Sequence, residues 1–265
     1  MKPRLSSLLL IPVLSLSLVA QAPKGRGEAL PVTAAIPDDP EIQKVIAPLA
    51  AEIKATYGLP LVQAPEGLFR GRRGEENLLG YWMTDVMRQA AQQVSGVPVQ
   101  VALANQGGIR ANIHPGIVKV SDILEVMPFE NELVVVELTG AELVQVVKEG
   151  ILHRAGEPCS GLKIRVTGTP AAATLTVTWD DGSPIKPDEI VKVATSDYLY
   201  SGGDSFPTLK KGRHPFTTGI TLRQMLIDAC TALAKEKKDL VAPPPGRITI
   251  PQEIRDAIYA KQFKF

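Results

Sequence analysis

Short apolar runs alternate along this chain with longer segments of helical periodicity, and this alternation limits the fold more than any other feature. The runs at residues 99–104, 133–138 and 190–195 predict buried strands, and the apolar spacing at residues 78–94 and 222–233 predicts helices. Strands and helices that interleave in this way are typical of α/β proteins. We therefore expect a single layered α/β domain with mixed sheets flanked by helices.

The composition is that of an ordinary globular protein. Of the 265 residues, 45% are hydrophobic and 22% are charged, and 29 lysines and arginines nearly balance 28 aspartates and glutamates. A formal charge of +1 gives no general electrostatic attraction to nucleic acid or to acidic membranes. We therefore expect no nucleic acid among the partners.

Residues 1–22 have the features of a signal peptide. Lys2 and Arg4 precede an apolar stretch at residues 5–19, and Ala20-Gln21-Ala22 then offers small residues at the spacing of a cleavage site. Cleavage after Ala22 and cleavage after Ala20 both fit this pattern. The apolar stretch is shorter than the ~20 residues that span a bilayer. We expect an exported protein, periplasmic or extracellular, with no membrane segment after cleavage.

The remaining chain divides into four parts. Residues 23–36 predict a flexible, proline-rich spacer, and residues 37–58 predict a helix with Asp39 as its N-cap and Pro40 in its first turn. The α/β domain is expected over residues 59–250, and residues 251–265 are expected to form a C-terminal tail.

The chain has two cysteines, Cys159 and Cys230. Export permits a disulfide between them, which would close a long loop. Cys230 lies on the apolar side of a helical pattern, where a buried free thiol is equally expected. Two thiols so far apart do not indicate a metal site.

Residues 105–110, Asn-Gln-Gly-Gly-Ile-Arg, follow a predicted strand. The paired glycines Gly107 and Gly108 allow close approach of a ligand to the backbone, and Arg110 is suited to hold a phosphate or carboxylate. The structural alternative is a tight turn with a solvated arginine. The glycine pattern is not that of a dinucleotide-binding loop.

Two further segments, residues 127–131 and 198–206, combine aromatic and polar side chains. Phe129 is placed either to stack on a ligand ring or to fill the core. Asp204 is an acceptor-only group held in a glycine turn, where it either receives two sugar hydroxyls or caps the turn. Arg70, Arg72 and Arg73 form a basic cluster before the helix at residues 78–94, and such clusters are usually a solvated surface.

Four motifs follow one another in a fixed order. They are Glu-Asn-Leu-Leu-Gly with Thr-Asp-Val-Met at residues 76–87, then residues 105–110, then Pro-Phe-Glu-Asn at 128–131, and Gly-Gly-Asp-Ser at 202–205. In order and spacing they resemble the C-terminal, substrate-binding domain of the secreted 5′-nucleotidases and related periplasmic UDP-sugar hydrolases. The match runs from about residue 37 to residue 250. The predicted first helix also resembles the linker that joins the two domains in that family.

The resemblance implies a nucleotide or nucleoside ligand and a role for each residue of the binding site. Phe129 and Tyr198 would lie on either face of the base, where stacking contributes roughly 1–3 kcal/mol per base. Arg110 and Arg73 would hold the phosphate, Asp204 the ribose hydroxyls, and Asn105 and Asn131 the edges of base or sugar. Gly107, Gly108 and Gly203 would form the turns that carry these side chains.

The sequence departs from the family pattern at four positions. Gln106 and Ser205 replace glycines, Leu78 replaces an asparagine, and Tyr198 stands where phenylalanine is usual. We expect Gln106 to stiffen or narrow the turn that would bind phosphate. The tyrosine keeps a stacking face and adds a hydroxyl.

In this family an N-terminal metallophosphatase domain with two metal ions performs hydrolysis, and its motifs do not occur in this sequence. Such a centre needs a dense set of histidine and aspartate ligands. The chain has only His114, His153 and His214, which are widely spaced. We therefore expect no catalytic residue, metal or cofactor in this chain, and divalent metals only on a partner metallophosphatase.

Three functional interpretations follow. The first is a nucleotide-binding subunit that works with a separately encoded metallophosphatase in nucleotide catabolism. The second is a non-catalytic periplasmic module that binds nucleosides or nucleotides. The third is a degenerate domain reused for surface interaction.

Overall fold

A computed structural model describes residues 30–71 and 76–265. The predicted signal peptide and Arg73 therefore lie outside the described residues. The chain divides between Ile46 and Ala47 into a small amino-terminal unit and a large unit, Ala47–Phe265. No helix in the described ranges is long and apolar enough to cross a membrane.

The helices and strands alternate as the sequence predicts. The helices are α1 (Pro40–Tyr57), α2 (Leu78–Ser95), α3 (Val120–Val126), α4 (Gly140–Arg154), α5 (Asp197–Tyr200), α6 (Leu222–Lys235) and α7 (Gln252–Tyr259). The strands are β1 (Pro60–Ala64), β2 (Val101–Leu103), β3 (Gly116–Lys119), β4 (Glu132–Thr139), β5 (Cys159–Ser160), β6 (Leu162–Thr169), β7 (Ala172–Trp179), β8 (Ile190–Ser196), β9 (Arg213–Thr221) and β10 (Ile248–Thr249).

Local sequence signals fix several helix ends. Asp39 accepts hydrogen bonds from the N–H groups of Glu41 and Ile42 and so caps α1, which spans most of the helix predicted at residues 37–58. Thr139 and Glu142 form a reciprocal capping box at the start of α4. Gly96, in the left-handed conformation, ends α2.

A five-stranded mixed sheet in the order β5-β2-β8-β4-β9 forms the centre of the large unit. Strands β2 and β8 pair in parallel, with Val101 opposite Val193, whereas β4 pairs antiparallel with β8 and with β9. The carboxyl ends of β2 and β8 therefore lie at the same edge of the sheet as the amino end of β4. The loops attached to these three strand ends therefore lie next to one another.

Both faces of this sheet are covered. Alternate residues of β4 point to opposite sides, so Leu133 and Val135 belong to one apolar core, and Val134 and Val136 belong to the other. Helices α2, α3 and α6 contribute to the first core, and α4, α7 and β6 contribute to the second. Burial on both faces explains why β4 has a continuous apolar run rather than strict alternation. The predicted α/β class with sheets flanked by helices is confirmed.

Two smaller sheets complete the described elements. Strands β1 and β3 form an antiparallel pair, and β6 lies between β10 and β7 in a three-stranded sheet. Strand β9 was not predicted, because most of its residues are exposed and its sequence has no apolar alternation. Its position comes from pairing with β4.

The carboxyl-terminal segment differs from the expectation of a tail. Residues 252–259 form α7, whose Ile254 and Ile258 are buried together with Phe263 in the second apolar core. The two isoleucines are four residues apart and therefore lie on one helix face. Residues 251–265 thus pack as part of the folded unit.

Both cysteines are buried free thiols. Cys159 lies in the second apolar core and Cys230 in the first. Burial raises the pKa of each thiol to about 12. The sequence left open a disulfide or free thiols, and in the structure the two cysteines are not paired.

A half-buried ion pair fastens the carboxyl-terminal part of the chain to α2. The Arg247 guanidinium donates to both oxygens of Asp85, at 2.9 and 2.6 Å, and the Ser160 hydroxyl donates to Asp85 at 2.6 Å. Arg247 also donates to the Cys159 carbonyl at 3.0 Å. The Thr-Asp-Val-Met motif therefore contributes a residue that joins α2, β5 and the segment before β10.

We expect Asp85→Ala to lower the free energy of unfolding by about 2–4 kcal/mol, since it leaves a largely buried guanidinium without its carboxylate. Glu236→Ala is the control, because its partner Lys238 and Glu236 itself are 66% and 58% exposed. Such surface pairs contribute about 0–1 kcal/mol. Denaturant unfolding of both variants measures the difference, and equal losses would contradict the structural role of Asp85.

Candidate functional site

Three loops meet at one edge of the five-stranded sheet and enclose a cavity of about 260 Å³. The loops follow β2, precede β4 and follow β8. Eight of the ten predicted site residues line this cavity, and Arg154 lines it in addition. The eight are Asn105, Gly107, Gly108, Arg110, Phe129, Asn131, Tyr198 and Asp204.

The glycines of the first loop lie close to neighbouring side chains. A Cβ atom at position 108 would lie 2.8 Å from Oδ1 of Asn105, and one at position 107 would lie 3.2 Å from Nη2 of Arg154. The Gly107 position would also bring a Cβ within 3.3 Å of Oδ2 of Asp204. The backbone of this turn therefore passes close to three polar side chains, and a side chain at either glycine would crowd them.

Gln106, which replaces a family glycine, fastens this turn to the segment after α4. Its N–H donates to the Glu157 carboxylate at 2.6 Å, and its side-chain amide donates to the Gly156 carbonyl at 2.7 Å. The Gln106 side chain is outside the cavity lining. The substitution thus anchors the turn and does not narrow the cavity.

Glu157 is the buried carboxylate of the site, with 2% of its surface exposed. Burial raises the pKa of Glu157 above its ordinary value, while hydrogen bonds from His153 and from the Gln106 N–H act in the opposite direction. Its Oε1 lies 3.4 Å from Nδ1 of His153 and 3.8 Å from Nε of Arg154. The carboxylate therefore joins the first loop to the end of α4.

Arg110 lies between the first two loops. Its Nη1 donates to the Gly107 carbonyl at 3.1 Å, and its guanidinium carbon is 5.8 Å from the ring centre of Phe129. The Arg110 N–H donates to the Val126 carbonyl at 2.8 Å, and Arg70 donates to the Arg110 carbonyl at 3.1 Å. The guanidinium is consequently held at the cavity wall beside an aromatic face.

The two predicted stacking rings line the same cavity and are similarly accessible. Phe129 is 40% exposed and Tyr198 is 42% exposed. Asp197 ties their loops together, because one carboxylate oxygen accepts hydrogen bonds from the N–H groups of Glu132 and Tyr198, at 3.2 and 2.7 Å. An ion pair between Glu130 and Arg223 further fixes the loop of Phe129.

Tyr198 belongs to the short helix α5 rather than to the end of a strand, and its hydroxyl takes part in a polar network. It donates to Oδ1 of Asp204 at 3.0 Å, while the Asn105 amide donates to Oδ2 of Asp204 at 2.7 Å. Gly203 lies against the ring, since a Cβ at that position would approach a ring carbon to 2.5 Å. One side of the Tyr198 ring is therefore supported by backbone.

The turn that carries Asp204 has an unusual backbone. Asp204 and Ser205 have φ angles of 47° and 64°, the left-handed region that favours glycine. Aspartate tolerates this conformation better than most residues. The turn presents the carboxylate toward Asn105 and Tyr198, and Ser205, which replaces a family glycine, occupies a conformation that glycine adopts freely.

Arg154 is the cavity residue that sequence reasoning missed. No motif marks it, but topology explains its position. Strand β4 begins at the edge of the sheet where the cavity lies and runs away from it. Helix α4 then runs back toward that edge, with Leu143, Val147 and Ile151 packed into the second core. An eight-residue strand and a fifteen-residue helix have similar lengths, about 27 and 22 Å. The last residue of α4 therefore reaches the edge where β4 began.

His153, Glu157 and Asp204 have donor atoms within 4.8 Å of one another, close enough in geometry for a metal ion. Glu157 already accepts the Gln106 N–H and has the Arg154 guanidinium as a neighbouring cation. Asp204 already accepts hydrogen bonds from Asn105 and Tyr198. Both carboxylates therefore already have partners within the protein, and we assign no metal site to this group. His114 lies elsewhere, with its ring edge-on to Phe69.

Comparisons with known proteins agree with this architecture. A family model described as 5′-nucleotidase, C-terminal domain, matches residues 60–211. The chain is 34% identical over 149 residues to cell wall protein Lmo0130 of Listeria monocytogenes, covering 52% of this chain and 19% of that protein. It is 24% identical over 267 residues to trifunctional nucleotide phosphoesterase protein YfkN of Bacillus subtilis, covering 92% and 18% respectively.

Among solved structures, the 5′-nucleotidase precursor from Thermus thermophilus superposes with a TM-score of 0.66 at 27% identity. The superposition covers 80% of this chain and 42% of that one. The chain thus spans about a fifth of the length of the two curated relatives and less than half of this solved structure.

The Tyr198–Asp204 hydrogen bond gives a testable prediction. Donation to the Asp204 carboxylate raises the pKa of the Tyr198 hydroxyl, because ionisation would remove the proton that is shared and place two negative charges together. Asp204→Asn should therefore lower the pKa of Tyr198 toward its ordinary value of about 10.

Carbon NMR of tyrosines labelled at Cζ follows this titration, and Tyr198→Phe assigns the resonance. Tyr81, which bonds to Glu76 instead, is the internal control and should not respond. An unchanged Tyr198 titration in Asp204→Asn would mean that the hydrogen bond is absent in solution.

Proposed function

Because this chain belongs to the 5′-nucleotidase C-terminal domain family, we propose that its cavity binds a nucleotide or nucleoside. The observation that carries the proposal is the convergence of Phe129 and Tyr198 on one cavity with Arg110 and Asp204. An aromatic pair, a cation and an acceptor match the three chemical parts of a nucleotide. Four other cavities among the described residues lack such an aromatic pair.

The base would stack between Phe129 and Tyr198. Both residues line the cavity and are partly exposed, and Asp197 accepts hydrogen bonds from the segments that carry them. Every nucleobase has a flat π face, so stacking of this kind accepts purines and pyrimidines alike. Asn131 also lines the cavity and would meet a base or sugar edge.

Ribose and phosphate would occupy the polar wall. Asp204 uses one direction of each oxygen for Tyr198 and Asn105, and an ionised carboxylate has about four acceptor sites, so two ribose hydroxyls still find lone pairs. Arg110 would form a charge-assisted pair with the phosphate. The Gly107 and Gly108 turn leaves room for that group to approach the backbone.

The proposal includes a division of labour with a separate protein. The residues that line the cavity offer two arginines, two side-chain amides and one carboxylate, and they do not supply the dense metal-ligand set that phosphoryl hydrolysis of this type uses. We propose that the chain is exported and presents nucleotides to a separately encoded metallophosphatase. The alternative, a binding module that acts without a partner, has the support of a cavity formed entirely within the large unit.

The binding roles are tested by two substitutions and a control. We expect Phe129→Ala to weaken AMP and adenosine equally, by roughly 5- to 100-fold, because the lost stacking does not involve the phosphate. Arg110→Ala should weaken AMP far more than adenosine. Phe216→Ala is the control, since Phe216 is 43% exposed on β9 and does not line the cavity.

Isothermal titration calorimetry of the full chain measures these affinities. Equal losses of AMP and adenosine in Arg110→Ala would contradict the phosphate assignment. Silent substitutions at both Arg110 and Phe129 would favour the interpretation of a degenerate interaction domain. Failure of the unaltered chain to bind any nucleotide or nucleoside would overturn the binding proposal as a whole.

The partnership is tested by reconstitution. Addition of the chain to an exported metallophosphatase that lacks a substrate-binding domain should raise its hydrolysis of AMP, and a complex should elute on gel filtration. Phe129→Ala should reduce this stimulation while leaving the complex intact. Unchanged turnover without a complex, in a chain that still binds AMP, would leave the partner-free binding module as the function.

A further inference from the structure

Arg154 is a second cation that lines the cavity together with Arg110. Its Nε is buried and has no hydrogen-bond partner among residues 30–71 and 76–265. The side chain as a whole is 42% exposed, and its guanidinium lines the cavity. A buried donor that finds no acceptor in the protein is costly unless something else supplies one. Nε itself is buried, so a ligand would meet the exposed part of this side chain.

Glu157 attracts the Arg154 guanidinium but does not accept a hydrogen bond from its Nε. The carboxylate is fixed by the Gln106 N–H at 2.6 Å and lies close to His153 at 3.4 Å. Its separation from Nε of Arg154 is 3.8 Å, too long for a hydrogen bond but short enough for strong electrostatic attraction. The guanidinium is thus oriented by a buried carboxylate, while the exposed part of the side chain remains open to a ligand.

The two arginines face the same backbone residue. Arg110 donates to the Gly107 carbonyl, and the Cα side of Gly107 faces Nη2 of Arg154. Oδ2 of Asp204, which the proposed function gives to the ribose, approaches the same side of Gly107 as Nη2 of Arg154 does. A phosphate attached to that ribose and directed at the glycine turn would lie between the two guanidinium groups.

We propose that Arg154 is a specificity-determining residue that, with Arg110, selects a ligand carrying a phosphate monoester over one carrying a phosphate diester. This inference rests on the proposed nucleotide-binding function. A monoester has three terminal oxygens and about two negative charges above its second pKa of about 6. Two forked guanidinium groups can both bind such a group. A diester has two free oxygens and one charge, so the second arginine gains much less from it.

The test uses three ligands that share one base and one ribose: AMP, its 5′-methyl ester and adenosine. Calorimetry is performed on the full chain above the second pKa of AMP. Arg154→Gln should weaken AMP roughly 10- to 100-fold, the methyl ester no more than about 3-fold and adenosine not at all, since only the dianion uses both arginines. Arg154→Lys, which keeps the charge but not the fork, should weaken AMP by an intermediate factor.

Arg88→Gln is the matched control. The Arg88 side chain is 38% exposed and lies 3.9 Å from the Asp180 carboxylate, close to the 42% and 3.8 Å of Arg154 and Glu157, but it does not line the cavity. This variant should bind all three ligands as the unaltered chain does. Thermal unfolding checks that Arg154→Gln remains folded, and Arg154→Lys carries the test if it does not.

The outcomes separate the inference from the function on which it rests. If the unaltered chain binds none of the three ligands, the proposed function fails. If it binds AMP and Arg154→Gln leaves AMP unchanged, or weakens AMP and the methyl ester equally, the function stands and the role of Arg154 is overturned. A selective loss of AMP supports it.

Discussion

The parallel pairing of β2 with β8, next to the antiparallel pairing of β8 with β4, is the constraint on which the arrangement of the cavity depends. It places two strand ends and one strand start at the same edge of the sheet, and each carries a loop with cavity residues. A shift of one residue in any of these registers would reverse which side chains face each core. The two apolar cores, which use alternate residues of β4, therefore fix the loop positions through the register.

Three carboxylates then join the loops to one another. Glu157 holds the first loop to the end of α4, Asp197 holds the loop before β4 to the start of α5, and Asp204 holds Asn105 and Tyr198 together. Each carboxylate accepts hydrogen bonds from two separate parts of the chain. Charged acceptors make stronger hydrogen bonds than neutral ones, and a network of them limits the motion of otherwise irregular segments. The cavity is thus preorganised by its own polar groups.

Much of the fold could be predicted from sequence because its strongest elements carry their own local signals. The apolar run of β4, the capping box of Thr139 and Glu142, and the left-handed glycine at Gly96 each follow from the local chain. Strand β9 and helix α7 escaped prediction, since β9 depends on its pairing with β4 and α7 buries only a short face against the second core. Their stability comes from partners distant in sequence.

The same distinction applies to the cavity. Residues in and beside the glycine turns were predicted because the order and spacing of their motifs resemble a known family, whereas each turn alone also allowed a purely structural role. Arg154 and Glu157 were not, because their positions depend on α4 returning to the edge where β4 begins. Gln106, predicted to stiffen or narrow the turn, anchors it to Gly156 by a contact that also joins distant parts of the chain, which agrees with stiffening. Arg73 lies outside the described residues, and its role in phosphate binding stays a prediction.

The placement of the two thiols has a consequence for how the folded state can be followed. Cys159 and Cys230 lie on opposite faces of the five-stranded sheet, each fully buried and each with a raised pKa. Neither is reactive while its layer is closed, since only an exposed thiolate attacks an alkylating reagent. The molecule therefore contains one native chemical reporter in each layer, and the rates at which the two thiols are modified distinguish local opening of one face from cooperative unfolding of both.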